Sequence, residues 1–286
     1  MRTHPINWSR IDLPADARIN EGYGSLAQEI VAAAGSGEAR RVVVDGMWGA
    51  QWNRWSAALE QAAAERGIRL RILSTLRALR SPDALIEHFS YWLTDNPTFG
   101  RVCERPVWDY FEPKAFDQLV REFLAAAPGV DLQVLMGPGA LSDATRHADV
   151  KVYCDVPREI IVNRQNSENL GNFGFGEHVP GHGPQKVAMY VEWPLLERHK
   201  RNIWNSIDVY ASDCDGLAWI KRSGLDRLIA DVSRPVRHPH RRRRTSLRPS
   251  ASGAATAFPL PSCSFRSPCG LCARQTAGRS KDPPPS

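Results

Sequence analysis

The sequence predicts an α/β protein: a doubly wound, parallel, five-stranded sheet with helices on both faces and a disordered C-terminal tail. Three observations predict it. Short β-branched or apolar runs recur at 41–45, 69–73, 132–136, 150–155 and 207–211. Stretches with helical spacing separate them, which is the pattern of βαβ units and a parallel sheet. Composition then changes abruptly after Arg234, where periodic sequence gives way to P-V-R-H-P-H-R-R-R-R and Ala/Ser/Pro-rich sequence ending P-P-P-S.

Taken in order, 26–34 has helical spacing with Ser25 as its N-cap. R-V-V-V-D at 41–45 is a buried strand ending at Gly46. An Ala/Glu-rich helix at 53–66 closes on Gly67. R-L-R-I-L at 69–73 is the second strand, and Ser81-Pro82 opens a helix at 83–93. A loop at 94–105 precedes a helix at 113–127. L-Q-V-L-M at 132–136 is the third strand, stopped by Gly137-Pro138-Gly139. V-K-V-Y-C-D at 150–155 is the fourth, followed by a helix from Pro157 to about 169. Five glycines in 170–184 predict a flexible, lid-like loop. A long helix at 185–204, a fifth strand at 207–211 and a short helix at 225–232 complete the domain.

The formal charge of +6 sits in the tail: residues 235–286 hold ten Lys/Arg and one acid, leaving 27 basic and 30 acidic residues in 1–234. A mildly acidic folded part has no electrostatic footprint for nucleic acid. No apolar run is long enough to span a bilayer, and the first ten residues lack an apolar signal core, so no membrane association and a cytoplasmic location are expected. The expected division is 1–234 as the folded domain and 235–286 as the tail, which reads either as a basic arm or as an out-of-frame extension without selected function. Cys103, Cys154 and Cys214 read as reduced, buried thiols. Cys269 and Cys272 form a C-x-x-C without a second pair, and His178 and His182 lack a third ligand, so no metal site is expected.

In a doubly wound sheet ligands sit outside the carboxyl ends of the strands. The first strand leads into V-V-V-D-G-M-W-G-A-Q-W-N-R-W, a strand, a glycine turn and a helix start, which is the usual phosphate cradle. A working P-loop reads G-x-x-x-x-G-K-[ST]. Counted from Gly46, Gln51 stands at the second glycine, Trp52 at the lysine and Asn53 at the magnesium-binding hydroxyl. Backbone N–H groups around Gly46, Gly49, Gln51 and Asn53 remain candidates for holding an anion. Alternatively Trp48, Trp52 and Trp55 pack a structural remnant. Asp45 is the candidate catalytic carboxylate, its other reading being a turn partner. Asp155 reads as a helix cap. Arg158, Arg164, Arg198, Lys200 and Arg201 either line an anion site or form a solvated face.

The segment H-A-D-V-K-V-Y-C-D-V-P-R-E-I-I-V-N-R-Q-N (147–166) resembles the uridine kinase, phosphoribulokinase and nucleoside-monophosphate kinase group. In that group a strand of this pattern leads into a helix whose arginines belong to a mobile lid. The resemblance covers about 42–211 as an architecture and is specific around 132–168. It implies a P-loop kinase type of sheet, with Arg158 and Arg164 at the phosphates and ATP and Mg²⁺ as cofactors. Gly137 replaces the acidic residue expected after the third strand, and Ser74 and Thr75 stand where such kinases place an aspartate.

D-G-M-W-G-A-Q-W, the A-D-V-K-V-Y-C-D-V-P-R-E segment and L-L-E-R-H-K-R are also similar to the kinase-like N-terminal region of long class I mannose-6-phosphate isomerases. No cupin signature is visible. Three functions follow as expectations: a degenerate kinase-like domain that binds a phosphorylated sugar or nucleotide, an active small-molecule kinase with a non-standard loop, or a module whose Trp-rich turn docks a protein partner.

Overall fold

The computed structural model of the chain describes residues 18–38, 40–168, 170–176 and 179–232. The tail at 235–286, with Cys269 and Cys272, and His178 lie outside the described residues. The chain divides after Val232 into two units, and every described residue belongs to the first.

Among the described residues seven strands make one sheet: β1 (Asn20–Glu21), β2 (Arg41–Gly46), β3 (Leu70–Ser74), β4 (Leu132–Met136), β5 (Val150–Asp155), β6 (Val209–Asp213) and β7 (Leu217–Lys221). Their order is β1-β7-β6-β5-β2-β4-β3. The five expected runs are β2 to β6, and they pair in parallel throughout. The expectation of a purely parallel, five-stranded sheet is corrected at one edge. Only residues 214–216 separate β6 from β7, too few for a crossover, so β7 returns antiparallel and β1 pairs antiparallel with it.

The helices are α1 (Tyr23–Gly35), α2 (Trp52–Arg66), α3 (Pro82–Leu93), α4 (Pro113–Leu124), α5 (Arg158–Ser167), α6 (Pro184–Val187), α7 (Trp193–Ile203) and α8 (Arg222–Val232). Ser81 caps α3 by accepting the Ala84 N–H at 3.3 Å, and α2 ends on Gly67 at φ 66°. Ser25 does not cap α1. It lies inside the helix, donates to the Glu21 carbonyl at 2.6 Å and accepts the Trp219 indole N–H at 2.9 Å. The long helix expected at 185–204 is broken by a π turn at Ala188–Glu192. Pro194 supplies the reason: it has no N–H to return to the preceding turn, so the backbone widens there.

β2 is buried between β4 and β5, and Val42, Val43 and Val44 are fully enclosed. At its end the strands come so close that a Cβ on Gly46 would meet the Cys154 carbonyl oxygen at 2.2 Å. Glycine is required there by close approach. Cys103 and Cys154 are buried, and burial pushes both thiols above their ordinary pKa.

The glycine-rich loop expected to be flexible and lid-like is anchored in the core by several of its described residues. Phe173, Phe175 and Val179 are buried, and Phe173 stacks on Tyr110 at 4.5 Å between centroids. The loop is strapped down by Glu192 of the π turn, whose carboxyl accepts the Phe173 N–H. Glu192 is 1% exposed, and burial raises its pKa from 4.5 to about 8, against the Phe173 N–H and the Asn172 side chain, which favour the anion. The folded chain therefore keeps this proton while the unfolded chain loses it above about pH 4.5. The stability that the group contributes is complete below that pH and drains away as pH rises to about 8. Glu192→Gln is expected to flatten this slope and to raise stability at pH 7 by about 3 kcal/mol. Denaturant unfolding of both proteins at pH 5 and pH 7 checks it, and an unchanged difference between the two pH values would show that Glu192 is ionised in the fold.

Candidate functional site

The chain leaves β2 toward β3, returns through β4 to β2's side, and then crosses to β5 on the other side. The carboxyl end of β2 is thus the topological switch point, the place where open α/β sheets bind ligands. Asp45 and Gly46 stand there.

Asp45 is fully buried and accepts four hydrogen bonds. Its Oδ1 takes the N–H groups of Gly46 at 2.6 Å and Gly139 at 3.0 Å. Its Oδ2 takes the Leu141 N–H at 2.8 Å and His199 Nε2 of α7 at 2.7 Å. Asp45 therefore fixes the Gly-Pro-Gly loop after β4 and draws α7 across the sheet end. With both oxygens occupied it has no free edge for a substrate, and His199, buried beneath Trp108 at 5.4 Å, is the group it orients.

The neighbouring strand ends repeat the arrangement. Asp155, at the end of β5, accepts Lys200 Nζ at 2.9 Å and the Tyr210 hydroxyl. It does not cap α5, which Pro157 precedes without any side-chain bond. Asp213, at the end of β6, forms a two-pronged pair with Arg164 of α5 at 2.9 and 3.1 Å, with side-chain exposures of 1% and 6%. Burial alone would lower the Arg164 pKa, but the hydrogen bonds and charge of Asp213 outweigh it and hold the guanidinium above its ordinary value.

This pair closes the turn before α2. Arg164 donates to the Gly49 carbonyl, and Asp213 Oδ2 accepts the Gln51 N–H at 3.0 Å. The Met47 N–H goes to the Cys154 carbonyl and the Ala50 N–H to the Met47 carbonyl. A carboxylate of the protein thus sits at the helix start where a P-loop receives phosphate. Trp55 is fully buried, Trp48 donates its indole N–H to the Gly171 carbonyl at 2.7 Å, and Trp52 is half-buried. With Trp52 and Asn53 in the lysine and hydroxyl positions as well, these residues do not fit a magnesium-bound triphosphate.

The structure therefore gathers Gly49, Gln51 and Arg164 around Asp213, with Gly46 between them and Asp45. It leaves Asn53 exposed on the first turn of α2 and Arg158 at the start of α5, paired with Glu197 and stacked over Trp193 at 5.1 Å. Arg198 donates to the Arg105 carbonyl at 3.1 Å, and Arg201 to the Glu197 carbonyl at 3.3 Å. His182 lies 3.1 Å from Lys186 Nζ. Among the described residues no three His, Cys, Asp or Glu side chains gather to hold a metal, and no helix is long and apolar enough to cross a membrane. Sequence reasoning gave Ser212-Asp213 only a place at a strand end, with no role for Asp213, and it missed the pairing of His199. An acid directly at the end of the fifth strand, D-V-Y-A-S-D, was the available signal for the first.

Fold and site together define a mixed α/β domain whose strand-turn-helix cradle is closed by its own side chains. The chain belongs to the family described as a domain of unknown function (DUF8485), which its residues 22–234 match. No curated protein matches it. Among solved structures it is similar to a "putative fructose transport system kinase" from Silicibacter sp. TM1040, at 12% identity and a TM-score of 0.41, over 63% of this chain and 95% of that one.

Proposed function

We propose that this chain is a degenerate kinase-like domain that binds a small phosphorylated molecule, a sugar phosphate or a nucleotide, without transferring the phosphoryl group. The observation that carries this reading is the Asp213 carboxylate on the Gln51 N–H. A transferred phosphate needs positive charge around it. Here the nearest fixed cation, Arg164, is already neutralised, and a second anion at Gln51 would face Asp213 in a poorly screened interior. What favours retained anion binding is the rest of the turn. The N–H groups of Trp48, Gly49 and Asn53 have no hydrogen-bond partner among the described residues, and they sit at the positive end of a 15-residue helix. The sugar-phosphate part of the reading rests on the resemblance carried by D-G-M-W-G-A-Q-W and A-D-V-K-V-Y-C-D-V-P-R-E.

The test is a titration of the full chain, following tryptophan fluorescence, with hexose 6-phosphates and nucleoside monophosphates at fixed ionic strength, beside an assay for ATP consumption. Saturable binding of one of these with no turnover is expected. ATP consumption in the presence of any acceptor would overturn the reading, as would the absence of saturation by every phosphorylated compound.

A further inference from the structure

A cavity of about 310 Å³ opens at the carboxyl edge of the sheet on its β3–β4 side, away from the turn before α2. Trp108, Phe111, Phe116 and Asp117 form one wall, and Ser142 and Asp143 the other. Both walls are held before any ligand arrives. The 3₁₀ turn carrying Trp108 (Val107–Tyr110) is fixed through Asp109, whose carboxylate binds His88 at 2.8 Å and Arg105 at 2.5 Å and whose carbonyl accepts Arg80 Nε at 3.0 Å. The opposite wall follows Gly139 and Leu141, which Asp45 grips. It is closed by Thr145, whose hydroxyl accepts the Ser142 N–H at 2.8 Å and donates to the Ala140 carbonyl at 2.7 Å. Ligand cavities are commonly preformed in this way, and this volume is at the small end of their range.

The lining is electronegative. It holds two carboxylates and no lysine or arginine. Asp117 makes no ion pair among the described residues, and Asp143 has only Arg146, 3.9 Å away, in a pair exposed on both sides. Such a pair contributes little and yields easily to a competitor. Aromatic surfaces share this lining. Trp108 is 38% exposed although it is the largest residue of a rigid turn, and Phe116 leans against it at 5.5 Å. Aromatic faces and a carboxylate without an ion pair in one small cleft are the two groups that attract an organic ammonium ion, through the ring quadrupole and through charge. The same charge repels phosphate.

We infer that this cavity is a binding site for a small organic cation of the alkylammonium class, with Trp108 as its aromatic contact and Asp117 as its counter-ion. The site is separate from the phosphate reading and stands without it.

Isothermal titration of the full chain with choline at low salt tests the inference, with 3,3-dimethylbutan-1-ol as the uncharged compound of the same shape. Choline is expected to saturate one site and to bind about tenfold more tightly than the alcohol. Asp117→Asn and Trp108→Leu are each expected to weaken choline at least about fivefold. Both positions are on the surface, and unchanged thermal unfolding verifies that the variants are folded. If Trp108→Leu fails to fold, Asp117→Asn decides alone. Equal binding of the alcohol, no saturation by choline, or choline affinity that survives Asp117→Asn would each overturn the inference.

Discussion

Asp213→Ala is expected to cost the fold about 4 kcal/mol, because it leaves the Arg164 guanidinium buried without a counter-charge. The Gln51 N–H loses its acceptor in the same step. The cost belongs to breaking the pair and not to lacking it. Replacing both partners by apolar residues, Arg164→Met with Asp213→Leu, is expected to recover most of the loss, since no charge is then left in the interior. Chemical unfolding of the wild type, the single variant and the double variant measures both quantities. A single variant within about 1 kcal/mol of wild type would mean that water reaches Arg164 and that the turn before α2 is not closed as described.

Asp45→Asn is expected to destabilise by about 3 kcal/mol although it changes the side chain hardly at all in shape. The four groups around Asp45 all point a donor at it: three backbone N–H groups and, in the tautomer the carboxylate favours, the His199 Nε2–H. An amide offers only one oxygen, so its NH₂ must confront donors that previously shared the second one. Asp45→Asn paired with His199→Phe is expected to be less damaging than the sum of the two single changes, because the two residues share one interaction. Strict additivity would show that the Asp45–His199 contact carries no coupling energy, and that the N–H groups of Gly46, Gly139 and Leu141 account for the whole effect.

The parallel strands were legible because strands buried on both faces read as near-continuous apolar runs, as V-V-V does here and as L-Q-V-L-M does apart from Gln133. The antiparallel edge was not. L-A-W-I-K is short and follows Asp215-Gly216, a hairpin signal that lay between a strand and a helix and was absorbed into their connection. β1 has two residues and no pattern to read. The departure from a P-loop could be counted directly at Gln51, Trp52 and Asn53. Its consequence could not, because the residues that fill the cradle come from far along the chain: Arg164 meets Asp213 across 49 positions, and Asp45 meets His199 across 154. Periodicity reports which face of an element is apolar, and it carries no information about which polar groups end up opposite each other. The glycines of 170–184 misled for a related reason. Glycine marks where the backbone turns tightly, as at Gly174 and Gly176 with φ of 75°, and the aromatic residues between them decide whether the segment is free or packed.

His199 and Lys200 are consecutive residues of one helix, yet they grip the ends of two different strands, β2 and β5. A crossbar bolted at two points cannot swing on either one. For α7 to lift from the sheet, both pairs must part together and expose two carboxylates, so its opening belongs with the unfolding of the central sheet and not with the local breathing of a loop. Backbone amides of α7 should then exchange with solvent as slowly as those of β2. A ligand entering the cavity on the β3–β4 flank would come in beside that bar, where the sheet end is open without any helix having to move.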